Sequence, residues 1–181
     1  MGRVRSIIDE AARQFIEAQH IFFVATAPLD ARGHVNVSPK GLDTFRILDP
    51  TTVAYLDFNG SGVETIAHLK ENGRIVLMFC AFQGPPDILR LYGHGRVLEP
   101  HEAEFVTLAK HFPECENARS IILVKVTRVQ DSCGYGVPLF KFEGERTQLQ
   151  AWARHRGVEG LKAYRAEKNS KSIDGLPGIS G

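Results

Sequence analysis

Apolar residues recur at helical spacing over residues 4–18, where Val4, Ile7, Ile8, Ala11, Ala12, Phe15 and Ile16 share one face and charges fill the other. This predicts an amphipathic helix whose stripe packs on a core. From residue 20 the pattern changes. Runs rich in β-branched and aromatic residues at 20–27, 34–39, 52–58, 74–82, 88–98 and 120–129 read as strands. Pro28-Leu29-Asp30-Ala31-Arg32-Gly33 joins the first two as a hairpin loop. Helical patterns interrupt at 64–71, stopped by Asn72-Gly73, and at 101–111, after Pro100. The last third differs: helices over 145–155 and 158–168 are separated by Gly157, and a polar tail runs from Asn169.

Strands in hairpin-like succession with helices at the corners predict a mainly β, α+β fold, a small closed antiparallel barrel. Strand and helix do not alternate regularly, so a doubly wound parallel sheet is disfavoured. The expected organisation is a single domain over 1–181, with the barrel at about 20–132 and a helical extension at about 143–181.

Charge narrows the function classes. Among 181 residues, 22 Lys and Arg face 21 Asp and Glu, a net charge of +1. That balance offers no broad basic field for a nucleic-acid backbone. Residues 141–181 carry eight Lys and Arg against five Asp and Glu, a mild tilt that reads as a solvated helix face. The start lacks the apolar stretch of a secretory leader, and the most apolar run, 21–28, is too short to span a bilayer. Cys80, Cys115 and Cys133 form no C-x-x-C pair. The expectation is a cytoplasmic protein with reduced thiols and no membrane partner.

Four segments can carry chemistry. In Asn36-Val37-Ser38-Pro39-Lys40-Gly41 a strand ends on a hydroxyl, a lysine and a glycine. Lys40 can reach over a barrel mouth to a phosphate or polarised oxygen, and Gly41 lets a ligand approach the backbone. The plainer reading is a turn with an exposed lysine. In Asn59-Gly60-Ser61-Gly62-Val63-Glu64-Thr65 a strand passes into a helix. Free N–H groups there can hold a phosphate, with Ser61 and Thr65 as hydroxyl donors, or Ser61 and Glu64 form a capping box. Tyr92-Gly93-His94-Gly95-Arg96 places glycines inside a strand, as for a bulge or a close ligand. Ser132-Cys133-Gly134-Tyr135-Gly136 can stack on a planar ring or seat a carbonyl on backbone N–H groups. The seven histidines show no metal-ligand spacing, and no G-x-G-x-x-G fingerprint is present.

In order and spacing, Val37-Ser38-Pro39-Lys40-Gly41, Tyr55-Leu56-Asp57-Phe58, Gly60-Ser61-Gly62, Leu69-Lys70-Glu71-Asn72-Gly73-Arg74 and Tyr92-Gly93-His94-Gly95-Arg96-Val97 resemble the pyridoxamine 5′-phosphate oxidase-like family of FMN-binding split barrels. Ser172-Ile173-Asp174-Gly175-Leu176-Pro177 resembles a subgroup of it. The resemblance implies a six-stranded split barrel that forms a homodimer with FMN between the subunits. The implied cofactor-binding residues are Ser38, Pro39, Lys40 and Gly41, then Ser61, Gly62, Glu64 and Thr65, with Cys80, Arg90, Cys133 and Gly134. Lys40 and residues 61–65 would hold the FMN phosphate. The ring would lie on Ser38-Pro39 and the 79–82 strand, with Lys40 or Arg90 near its pyrimidine edge. The basic Ser-Arg-Lys cluster of vitamin B6 phosphate oxidases is missing here. The implied activity is therefore an FMN-dependent oxidoreductase on another small molecule, with no catalytic acid or base assigned. The alternatives are a non-catalytic flavin- or haem-binding stress protein and an F420-dependent reductase.

Overall fold

The computed structural model describes residues 2–113 and 117–179. Its elements are β1 (Val4–Arg5), α1 (Glu10–Glu17), β2 (Phe22–Thr26), β3 (Asn36–Lys40), β4 (Phe45–Asp49), β5 (Thr52–Phe58), α2 (Glu64–Asn72), β6 (Arg74–Cys80), β7 (Asp87–Leu98), α3 (Ala103–Ala109), β8 (Ala118–Cys133) and α4 (Gln148–Lys168). All strand pairs are antiparallel, in the order β3-β2-β6-β7-β8-β5-β4, with β1 on β8. The α+β expectation holds. The expected six-stranded closed barrel does not: the sheet has eight strands and is not closed.

Both added strands have physical causes. The stretch predicted as one helix from residue 4 is split by Asp9, whose carboxylate accepts the Ala12 N–H at 2.9 Å and starts α1 at Glu10. Before it, Val4 and Arg5 pair with Gln130 and Val129. β4 is the run Phe45-Arg46-Ile47-Leu48-Asp49, which pairs with β5 after the short link at 41–44.

That link explains why the open sheet curls. The edges β3 and β4 are six strand spacings apart in the order, about 29 Å if the sheet were flat. Four linking residues reach at most about 17 Å. The edges must therefore approach each other, leaving a split across which no backbone ladder runs.

The curled sheet encloses Val24, Tyr55, Leu77, Leu91 and Ile122, capped by Ile16 of α1 and Ile66 and Leu69 of α2. A second cluster on the opposite face joins Ala54, Leu56, Leu98 and Ile121 to Phe105 of α3. β5 is thus buried on both faces, which is why its sequence is nearly continuous in apolar residues. Gly93 is a fold device: a side chain there would put its Cβ 2.2 Å from the Lys125 carbonyl oxygen, beside a register shift between β7 and β8. In α4, Gly157 breaks the helix at φ 63° and ψ 178°. Trp152 and Tyr164 would stand about 18 Å apart in a straight helix. Their rings lie 5.0 Å apart, so the two halves fold back on each other, as the glycine predicted. Cys80 is buried and Cys133 exposed, both as free thiols, while Cys115 lies outside the described residues.

Gly73 ends α2 in the left-handed region at φ 72°, with its N–H donated to the Leu69 carbonyl at 3.1 Å. Gly73→Ala should cost about 1 kcal/mol in urea unfolding, the penalty of a Cβ in that conformation. Unchanged stability would show that the cap does not need a glycine.

Candidate functional site

The chemistry begins with a charge inside an apolar strand. Asp57 is fully buried in β5 and is held from two sides. Lys40 Nζ lies 2.7 Å from its Oδ1, and Arg119 Nε lies 2.8 Å from its Oδ2. Arg119 also donates to the Gly60 carbonyl at 3.1 Å. Burial alone would raise the Asp57 carboxyl, but the charges and hydrogen bonds of Lys40 and Arg119 outweigh it and bring it down to about 2. The three groups carry a net +1, and Lys40, one-fifth exposed, delivers that charge to the split.

Lys40 faces a cleft of about 1170 Å³ that Pro39, Gly41, Leu42, Leu56 and Phe58 also line. Of the twelve residues expected at a cofactor, Pro39, Lys40 and Gly41 border this cleft.

A second group gathers at the start of α2. Ser38 donates its hydroxyl to the Asn36 side-chain Oδ1 at 3.2 Å, and Asn36 Nδ2 donates to the Thr65 hydroxyl at 2.9 Å. Lys40 is four residues further along β3, about 13 Å from Asn36. The cap of α2 is not the expected one. Val63, not Ser61, is the N-cap, and no side chain caps it. Nearby, His68 is buried against Thr26, Nδ1 to Oγ1 at 2.9 Å, and burial lowers its pKa below the usual histidine range.

The tail covers this second group. Asn169 is fully buried and donates to the carbonyls of Gly60 at 2.9 Å and Ser61 at 3.4 Å. The Ile173 N–H donates to Glu64 Oε1 at 3.3 Å, and Lys70 Nζ donates to the Gly178 carbonyl at 2.6 Å. Asp174 accepts the His34 N–H at 2.8 Å and meets its Nδ1 at 2.6 Å, contacts that hold its carboxyl below the ordinary range.

The third group lies at the β6–β8 rim. Cys80 pairs with Ile88, Ile88 with Ser132, and Asp87 with Cys133. Arg90 donates to the Ser132 hydroxyl at 2.8 Å. Gly134 packs so closely on Asp87 that a Cβ would lie 2.7 Å from its nitrogen. Burial raises the Cys80 thiol, opposed by Arg90. Along the strand order Arg90 is three spacings from Pro39, and Phe79, next to Cys80, is two spacings from Lys40.

Sequence reasoning missed Arg119, and quoted Asn36, Asp57 and Asn169 without giving them a role. Asp57 had a legible signal, because a lone carboxylate in a buried strand requires a cationic partner. Nothing in the chain order pointed to Arg119, which is 62 residues away.

Residues 8–133 match the family model described as pyridoxamine 5′-phosphate oxidase. The pyridoxamine 5′-phosphate oxidase family protein ustO of Aspergillus flavus is 39% identical over 189 residues, spanning 95% of this chain and 76% of that protein. Among solved structures, the H111A variant of HupZ from Group A Streptococcus has a TM-score of 0.57 at 22% identity, covering 69% of this chain and 99% of that one. An FMN-binding protein from Syntrophomonas wolfei has a TM-score of 0.50 at 20% identity, covering 73% and 87%. At these identities the structural likenesses establish the fold.

Because the Asp57 carboxyl is lowered on folding, its stabilising contribution is complete above about pH 4 and is lost as pH falls toward 2. That contribution is about 2 kcal/mol. Asp57→Asn leaves Lys40 and Arg119 uncompensated and should cost about 3 kcal/mol at neutral pH. The variant should also lose less stability than the wild type between pH 4 and 2. Urea unfolding across that range checks this, and parallel profiles would contradict the ion-pair assignment.

Proposed function

The chain belongs to the pyridoxamine 5′-phosphate oxidase family, and from that premise we propose that it is a flavin-dependent oxidoreductase that uses FMN to act on a small molecule. The observation that carries this reading is the fixed cation at the split: Lys40, clamped by Asp57, facing a large and mainly apolar cleft. A flat ring system that gains negative charge on reduction suits that combination. The cleft volume lies above the roughly 300–1,000 Å³ of ordinary small-molecule pockets, so a flavin ring fits with room beside it.

In this proposal the two groups give the ligand a direction. Lys40 and Pro39 serve the ring end, and the N–H groups and hydroxyls of 61–65 serve the phosphate end, with Ser38 and Asn36 between them. Thr65 accepts from Asn36 and keeps its own proton to donate to a phosphate oxygen. Lys40 stabilises negative charge at the pyrimidine edge of the ring. When bound, the flavin supplies the hydride or electron transfer. The protein orients it, excludes water with the apolar walls and sets the local charge. In this proposal a second copy of the chain completes the site: Arg90, Cys80, Cys133 and Gly134 approach from the partner of a homodimer.

Fluorescence titration with FMN and riboflavin tests both ends of the site. Lys40→Met should weaken both ligands, while Thr65→Val should weaken FMN about tenfold and leave riboflavin within about twofold. Failure of the wild type to bind FMN, FAD or riboflavin would refute the proposal, and a Soret band on adding haem would favour a haem-binding role.

A further inference from the structure

The cleft has a second wall, built by residues 139–149. This segment is fixed at two points, just beyond β6 and just before β2. The Phe140 N–H donates to the Phe82 carbonyl at 2.9 Å, and the two rings stack at 5.5 Å. Two residues on, the Phe142 ring lies on His20 at 3.7 Å with 7° between the planes. Lys141 is thus carried between two anchored positions and lines the cleft. Gly144, at φ 145°, redirects the chain, and Arg146 also lines the cleft.

The charge of this wall stands out. Lys40 is partnered by Asp57, whereas neither Lys141 nor Arg146 has a hydrogen-bond or ion-pair partner among the described residues. The cleft holds Lys40, Lys141 and Arg146 against the single carboxylate of Glu145, in a chain whose overall net charge is only +1. Cations without partners beside aromatic rings attract an anion, and the planar guanidinium fork matches a carboxylate or a phosphate. The faces of Phe82, Phe140 and Phe142 accept a flat body.

We propose that the 139–149 wall is a substrate subsite for a flat aromatic anion, with its ring among Phe82, Phe140 and Phe142 and its carboxylate or phosphate on Lys141 and Arg146. This rests on the reading that a flavin ring occupies the Lys40 side of the same cleft. The subsite then places the substrate across the cleft from the flavin, with Lys141 and Arg146 selecting by charge and the aromatic rings by shape.

Fluorescence titration of FMN-loaded protein with 2-naphthoate, 2-naphthyl phosphate and neutral 2-naphthalenemethanol tests this. At least one anion should bind about tenfold more tightly than the alcohol, the margin of a charged hydrogen bond, and the better anion identifies the group. The combined Lys141→Ala and Arg146→Ala variant should lose that margin while binding FMN and riboflavin as the wild type does. The combined Arg154→Ala and Lys162→Ala variant, the same charge change at exposed positions of α4, should retain the margin. Equal affinity for anion and alcohol in the wild type, or a preference that survives the double variant, would overturn the proposal. A double variant that weakens FMN but not riboflavin would also overturn it, because the cations would then be holding the flavin phosphate. If the wild type binds no flavin, the flavin reading falls, and the anion preference of the unloaded protein still decides the subsite.

Discussion

A buried carboxylate holds the two sides of the open sheet together. Asp57 sits on β5, next to the β4 edge, and its partner Lys40 ends β3, the opposite edge. Backbone ladders cannot cross the split, so this contact at 2.7 Å is a side-chain tie where a closed barrel would have main-chain pairing. Arg119 extends the tie to the Gly60 carbonyl and so to the turn that leads into α2. The cost of burying Asp57 is offset only while both cations are present. A hydrophobic trio could fill the same volume, but it would leave no charge at the split. The ion network therefore links stability to a cation held in a fixed place at the cleft.

The C-terminal third completes the surroundings of the barrel by two unlike means. The 139–149 segment is fastened by aromatic stacking and one main-chain hydrogen bond, and it walls the cleft. The tail from Asn169 is fastened by polar contacts to Gly60, Ser61, Glu64, Lys70 and His34. Asn169 is the hinge of this arrangement: its main-chain carbonyl accepts the Ile179 N–H while its side chain satisfies the Gly60 carbonyl, so tail and turn are ordered as one unit. The polar tail is consequently packed against the rest of the chain, where its composition implies a loose end.

Much of the fold was legible because local rules set it. The runs at 52–58 and 88–98 fall on β5 and β7 almost to the residue, and Gly157 and Asn72-Gly73 end helices where their backbone freedom predicts. The errors arose where tertiary pairing overrode a local pattern. Val4 and Arg5 fit the period of the following helix yet pair with β8, because Asp9 starts the helix later. Phe45–Asp49 is a short run with an arginine inside, and it becomes a strand because β5 offers it a partner. Ser61 and Glu64 have capping-box spacing, but the chain enters α2 two residues later.

For the site, the sequence by itself determined the chemical inventory: a strand-end lysine beside a glycine, a glycine-hydroxyl turn before a helix, and a lone aspartate in an apolar strand. Each follows from residue type and near neighbours, which a single chain displays. Only the tertiary structure decided the distances. It joined Lys40 to Arg119 through Asp57, set Asn36 against Thr65, and brought Phe142 onto His20 across 122 positions of sequence. The physical reason is that a curled antiparallel sheet sets proximity by strand order and register, and those depend on all eight strands together rather than on any one segment.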